Sequence, residues 1–248
     1  MRIGKWQFRP TLWPTVATLI LLPVLIALGI WQLQRADYKR LLLAEYHRAT
    51  SLPPVSLNTA LADGSLAGLP RYRHVRAQGH YDGSRQILLD DMQQGGRVGY
   101  EVVTPLVLQP GDQMVLVDRG FIARAPGVQA LPDVRVSEGT RNVEGILGIL
   151  PVPGLRLGKV RVPQGWPKLM LFPSHPTLAQ LYGAQLLQPV LLLDAAQPDG
   201  FVRDWRPNIG FPPVRHDAYA LQWFALALAL VIIWIVVNSR RSTHDANR

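Results

Sequence analysis

Two long stretches of the chain carry no charge at all. Between Thr11 and Leu33, and again between Ala218 and Val237, every residue is apolar or an uncharged polar type. Twenty residues at a helical rise of 1.5 Å make about 30 Å, the thickness of a bilayer's hydrocarbon layer. The pattern therefore predicts two transmembrane helices, 11–33 and 214–237. The second has Pro212-Pro213 at its entry, where proline costs a helix little. Its first turn then holds His216 at the membrane–water boundary. Tyr219 and Trp223 follow at i+3 and i+7, on the same side of the helix by spacing. Such a group is either an ordinary interfacial cluster or one wall of a site for a flat apolar ligand. Trp234 also falls on this face, about 27 Å further along, and reads as the anchor at the opposite interface.

The first span has Pro14 near its start and Pro23 in its middle, where a membrane helix tolerates a kink. Its basic start and the triplet Ala27-Leu28-Gly29 also fit a cleaved signal. The apolar run nevertheless continues into Ile30-Trp31 without a polar break, which predicts a retained anchor. Trp31 and Gln32 then lie at the far interface. Residues 36–48 extend the helix, and Ser51-Leu52-Pro53-Pro54 ends it.

Beyond a loop at 53–70 the period changes from helical to alternating. Tyr72–Gln78 alternates, with Tyr72, His74 and Arg76 expected on one side. Further strands are expected at Arg85–Asp90, Tyr100–Leu108, Met114–Asp118, Arg141–Leu150 and Val190–Asp194. The turn Gln109-Pro110-Gly111-Asp112 joins two of them. Pro173–Leu187 holds a soluble helix with Leu178, Leu181 and Tyr182 at helical spacing. The fold expected is a membrane protein whose two transmembrane α-helices flank a β-rich (α+β) extracytoplasmic domain, an antiparallel sheet or open barrel. The expected division is an N-terminal tail 1–10, a first span 11–33, the domain 34–213, a second span 214–237 and a C-terminal tail 238–248. Two spans place both termini on one side, and the short basic tails favour the cytoplasm. A connection of about 180 residues escapes the positive-inside rule.

Composition narrows the partners. The 248 residues include 26 basic and 17 acidic side chains, a net charge of +9, with 48% hydrophobic and 17% charged residues. Beside two spans, that balance points to lipid headgroups or an acidic ligand. No basic cluster interleaves with exposed aromatics, so nucleic acid is not an expected partner. The chain has no cysteine, which excludes disulfides, thiolate metal sites and cysteine nucleophiles.

Catalytic signatures are missing: there is no nucleophile elbow, dinucleotide fingerprint or P-loop. His47, His74, His80, His175 and His216 show no metal-site spacing. Asp90-Asp91 reads as a strand end opening a turn. Asp118-Arg119-Gly120 reads as a local ion pair and a turn glycine. No enzyme activity is expected.

One set of segments resembles a known family. Gly29-Ile30-Trp31-Gln32 with Arg35 and Lys39 resembles the end of the first span in the surfeit locus protein 1 family of cytochrome c oxidase assembly factors. Gly79-His80-Tyr81-Asp82, Gly99-Tyr100 with Thr104-Pro105-Leu106, and Val117-Asp118-Arg119-Gly120-Phe121 resemble its middle-domain motifs in order. Pro212-Pro213, His216, Tyr219-Ala220 and Gln222-Trp223-Phe224 look like the start of its second span in bacterial members. Asp118 stands where asparagine is common, and Ala123 where a proline often follows.

The resemblance implies a role in building the haem-containing core subunit of haem–copper oxidases in the respiratory chain. It implies transient binding of haem a, with His216 as axial ligand to the iron, at the outer face of the inner membrane. The core subunit and haem a synthase are the implied protein partners. The chemistry is compatible: a neutral imidazole can ligate iron, Tyr219, Trp223 and Trp31 can pack on a macrocycle, and Gln32 can reach the same ligand. Arg35, Arg215 or Lys39 can pair with propionates, and Asp217 can orient the imidazole. The competing expectation is a membrane chaperone that holds the core subunit and binds no haem. A membrane-anchored enzyme would need a convergent polar cluster.

Overall fold

In the computed structural model the described residues are 2–3, 6–125, 127, 130–152 and 162–241, with the side chains of 2–7, 240 and 241 left aside. They form two compact units. One comprises Met1–Ala44 with Pro207–Arg248, the other Glu45–Arg206.

The first unit is the membrane part. Helix α1 runs unbroken from Leu12 to Ser51, through Pro23 and through the expected extension. Helix α4 runs from Pro213 to Val237. Both are long and apolar enough to cross a membrane, and most of their surface is exposed within the protein itself. Asn238 ends α4 and ties it to the start of α1. Its Oδ1 accepts from the Thr11 amide at 2.6 Å and the Thr11 hydroxyl at 2.9 Å, while its Nδ2 donates to Trp234 O at 2.7 Å. One side-chain amide thereby serves the open N-terminus of one helix and the open C-terminus of the other. Trp234, expected as an interfacial anchor, donates its indole N–H to Thr15 Oγ1 at 3.1 Å. Beyond the helices, β1 (Arg2–Ile3), β2 (Trp6–Phe8) and β11 (Ser239–Arg241) make a small antiparallel sheet. The basic-tail expectation rests also on Lys5 and on residues 242–248, which lie outside the described residues.

The second unit is β-rich. Its strands are β3 (Val55–Ser56), β4 (His74–Tyr81), β5 (Ile87–Gln94), β6 (Arg97–Leu108), β7 (Met114–Ala123), β8 (Arg141–Gly148), β9 (Lys168–Met170) and β10 (Leu186–Leu193). Helices α2 (Leu57–Ala62) and α3 (His175–Tyr182) complete it. The order β4-β8-β10-β7-β6 returns from β6 to β4, so five strands close into a barrel. All neighbours in that ring are antiparallel except β7 and β10, which run parallel.

Closure depends on β6 serving two partners along one edge. Its Arg97–Val103 stretch pairs with β5, and its Leu106–Leu108 stretch pairs with β4. Pro105, which cannot donate to a ladder, lies at the changeover. Gly79 makes the β4 contact possible, because a Cβ there would lie 2.2 Å from Val107 O.

Alternation along the ring strands fills two of the three apolar clusters. Val75, Ala77, Leu106, Val115, Val117, Val143, Leu191 and Leu193, drawn from all five ring strands, pack together with Leu57. The intervening Met114, Leu116, Val190 and Leu192 join Leu178 and Tyr182 of α3 in a second cluster. Both faces of β7 and β10 are therefore covered, which accounts for their nearly continuous apolar runs.

Several local expectations are corrected. Tyr72 does not share a strand face with His74 and Arg76: it precedes β4, takes a left-handed conformation (φ 65°) and is buried. Asp90-Asp91 does not end its strand. β5 bulges there, with Asp91 at φ 55°, and continues to Gln94. Bulging keeps Asp90 within reach of Arg124, its ion-pair partner.

Asp118 and Arg119 do not pair with each other. Arg119 is 1% exposed and is held by five acceptors. Its guanidinium donates to Asp199 O at 2.6 Å, Gln86 Oε1 at 2.9 Å, Thr104 Oγ1 at 3.2 Å, Val134 O at 2.8 Å and Arg135 O at 3.1 Å. This buried cation stitches two strands to the segments that cross them. Asp118 accepts from the Gly120 amide at 3.0 Å.

Asp118 and Glu101 are both pushed towards the neutral form. Burial raises Glu101 to about 7, and burial together with the Glu101 charge raises Asp118 well above the ordinary carboxylate range. The native state therefore holds protons that the unfolded chain has released. Stability is full below the ordinary carboxylate pKa and falls as pH climbs through the raised one. For Glu101 that window runs from about 4.5 to about 7 and is worth up to about 3 kcal/mol. Melting curves should show the wild type losing several degrees between pH 5 and pH 8. Glu101→Gln paired with Asp118→Asn should flatten that slope.

Candidate functional site

The polar centre of the membrane unit is built where the first turn of α4 meets α1. On α4 the inward positions are His216, Ala220 and Ala227, with Trp223 and Phe224 half-buried between them. On α1 they include Gln32, Ala36 and Lys39. Spacings of three, four and seven place each set on one helix face. Small residues let the helices approach: a Cβ on Gly29 would lie 2.6 Å from the Phe224 ring.

His216 is 8% exposed, and both of its ring nitrogens are engaged from α1. Nδ1 lies 2.7 Å from Gln32 Oε1, and Nε2 lies 2.7 Å from Lys39 Nζ. The partners decide the tautomer. An amide oxygen only accepts, so Nδ1 carries the hydrogen; an ammonium only donates, so Nε2 offers its lone pair. The ring is thus a neutral imidazole, oriented on one side and basic on the other. Lys39 is 6% exposed and also donates to Phe211 O at 2.7 Å.

The sequence candidates do not all gather at this centre. Gln32 and His216 are together. Arg215 lies over the Phe211 ring at 4.4 Å and Arg35 over the Tyr38 ring at 5.4 Å, each with its own cation–π partner. Tyr219 is 44% exposed and Trp31 is 54% exposed, both outside the contact face. Tyr219 at i+3 from His216 turns away because the contact stripe follows i+4, through Ala220 and then Phe224. Trp223 is half-buried on that stripe. Asp217 does not orient the imidazole. It pairs with Arg40, which also binds Asp37 at 2.7 Å, and Gln32 takes the orienting role.

Lys39 is the residue whose place sequence reasoning missed. It was visible as the last residue of the family-like segment and as a cation for propionates, not as a partner of His216; Gln32, Ala36 and Lys39 at helical spacing were the available signal.

The barrel unit has a second polar cluster. His74, Glu144 and Asp194 present ligand-type atoms within 4.8 Å of one another. His74 Nε2 already meets Asp194 Oδ2 at 2.6 Å, and Arg76 meets Glu144 at 2.6 Å. These pairings satisfy the cluster internally.

Two apolar spanning helices, a polar centre on one end of their interface and a closed β-barrel unit define a membrane-anchored barrel protein with no recognisable catalytic constellation among the described residues. The SURF1 family model matches residues 19–228, which takes in most of α1, the barrel and the first part of α4, and the chain belongs to that family of cytochrome oxidase assembly factors. It is 28% identical over 242 residues to surfeit locus protein 1 of Xenopus tropicalis, covering 87% of this chain and 73% of the relative. It is 25% identical over 250 residues to the Mus musculus protein of the same name, covering 90% and 76%. The SURF1-like protein of Monosiga brevicollis is 27% identical over 246 residues, covering 91% and 87%.

The close approach at Gly29 yields a direct test of the helix contact. Gly29→Val forces a side chain into the Phe224 ring and should cost about 1–3 kcal/mol of overpacking. Thermal unfolding in detergent should report a lower transition, with Gly29→Ala intermediate. An unchanged transition in Gly29→Val would mean that the helices do not approach here.

Proposed function

We propose that the protein serves haem–copper oxidase assembly by holding haem a at the outer end of its helix pair and releasing it to the oxidase core subunit. The observation that supports this reading is the His216 imidazole. It is buried, neutral and oriented by Gln32, with its one available lone pair on Nε2. That is the donor an axial iron ligand requires. The surroundings fit the rest of such a cargo. Lys39, Arg35 and Arg215 supply positive charge for propionates, and Trp223, half-buried on the His216 side of α4, supplies flat apolar surface. Bound haem a contributes the iron centre that the finished oxidase needs.

In this reading the chain's residues bind and orient rather than catalyse. Gln32 fixes the imidazole, His216 supplies the lone pair, and the interfacial position leaves an isoprenoid tail free to lie among lipid chains. The protein sits in the inner membrane with both termini cytoplasmic and the barrel in the periplasm. Haem a synthase is the expected donor and the oxidase core subunit the expected acceptor.

A second reading has its own support. Both nitrogens of His216 are already partnered, as they would be in a purely structural tie between helices. On that reading the protein is a chaperone of the core subunit that binds no haem.

The two are separated by purifying the protein from cells that also produce the haem a biosynthetic enzymes, and recording visible spectra beside His216→Ala. The carrier reading expects a haem a band in the parent and its loss in a variant that still melts cooperatively. No band in either supports the chaperone. A band retained in the variant removes His216 from the site.

A further inference from the structure

We propose that Lys39 is a resident cover on His216, displaced only by a metal tetrapyrrole that brings a carboxylate of its own. The inference rests on the haem-carrier reading and specifies which cargo that site accepts.

Three observations carry it. First, Lys39 Nζ stands 2.7 Å from Nε2, the only ring position with a free lone pair once Nδ1 is committed to Gln32. A metal and this ammonium cannot use the same lone pair together. Second, Lys39 is a buried cation without an anion. Among the described residues its partners are an imidazole and the Phe211 carbonyl, both neutral, and no carboxylate lies within ion-pair distance. The nearby carboxylates of Asp37 and Asp217 are both taken by Arg40. A buried ammonium in neutral company gains from any anion that reaches it, and an ammonium has three donors of which two are used here. Third, the lysine stem has four rotatable methylene links. Nζ can therefore leave Nε2 by side-chain rotation while α1 and the Gln32 tie stay in place.

Together these make an exchange. Entry of the cargo takes the lone pair from Lys39, and the released ammonium takes the cargo's carboxylate. Neither half suffices alone. A metal tetrapyrrole without carboxylates leaves the displaced cation unpaired, and a metal-free one offers nothing to Nε2. The site thus selects for both features at once and keeps His216 from other electrophiles when empty of cargo.

The test uses the full chain in detergent, with Lys39→Leu and Lys39→Arg, each checked by thermal melting. Diethyl pyrocarbonate reports the free imidazole lone pair, read at His216 by peptide mass spectrometry. Losing one covering hydrogen bond should raise the His216 rate about tenfold in Lys39→Leu. Iron protoporphyrin and its dimethyl ester then report selection. The wild type should favour the free acid over the ester by about tenfold or more. Lys39→Leu should lose that preference and bind the ester more tightly than the wild type does. Lys39→Arg should keep the preference.

An unchanged His216 rate in folded Lys39→Leu overturns the cover. Equal binding of acid and ester by the wild type overturns the exchange. Should His216 become reactive while neither porphyrin binds any form, the haem-carrier reading fails and the exchange with it, and only the cover is upheld.

Discussion

Helices in a lipid layer gain little from apolar contact with each other, because lipid tails are equally apolar. What pairs α1 and α4 is close approach at small residues and a few polar ties, the chief of which is the His216 ring held between Gln32 and Lys39. Everything proposed for the protein depends on this arrangement. It buries a histidine at the end of a spanning helix, sets its tautomer, and leaves one lone pair under a movable cation. Asn238 and Trp234 perform the same stitching at the far end, bonded to Thr11 and Thr15. Among the described residues that end shows no histidine and no buried lysine, and its pairing is carried by these bonds.

The barrel unit solves a different problem. Its five-strand ring is closed through β6, which changes partner at Pro105, and through the glycine edge of β4 at Gly79. Inside, Arg119 replaces what would otherwise be ordinary core with a cation satisfied by carbonyls and amide oxygens. Such a hub holds one register, because its acceptors come from four separate segments, at Gln86, Thr104, Val134-Arg135 and Asp199. Arg119 of the family-like motif thus has a part in the fold itself.

The spans were legible because charge-free runs of bilayer length have few other meanings, and the strands because alternation survives even in short segments. Ring closure was not legible. It depends on β4 meeting β6 and on β10 lying parallel to β7, both contacts between distant segments that no local pattern encodes. Tyr72 was misplaced because a left-handed residue breaks strand phase without leaving a glycine as warning. At the polar centre, His216 was visible from its place in the first turn of the second span, and its implied haem role, with Gln32 beside it, came from the family resemblance. Tyr219 was drawn in by i+3 spacing, while the real contact stripe follows i+4. Asp217 was drawn in by adjacency alone, and its carboxylate belongs to Arg40. The role of Lys39 needed the two helices side by side, since nothing in a linear chain tells a lysine at the end of one span that it faces a histidine at the start of another.

The tautomer of His216 tests the central arrangement most directly. With nitrogen-15-labelled histidine, long-range proton–nitrogen correlation of the protein in micelles identifies which ring nitrogen carries hydrogen, and His216→Gln assigns the signal. The structure requires a neutral ring with hydrogen on Nδ1 and a bare Nε2, changing on Gln32→Leu. A ring protonated on Nε2, or on both nitrogens, would contradict it.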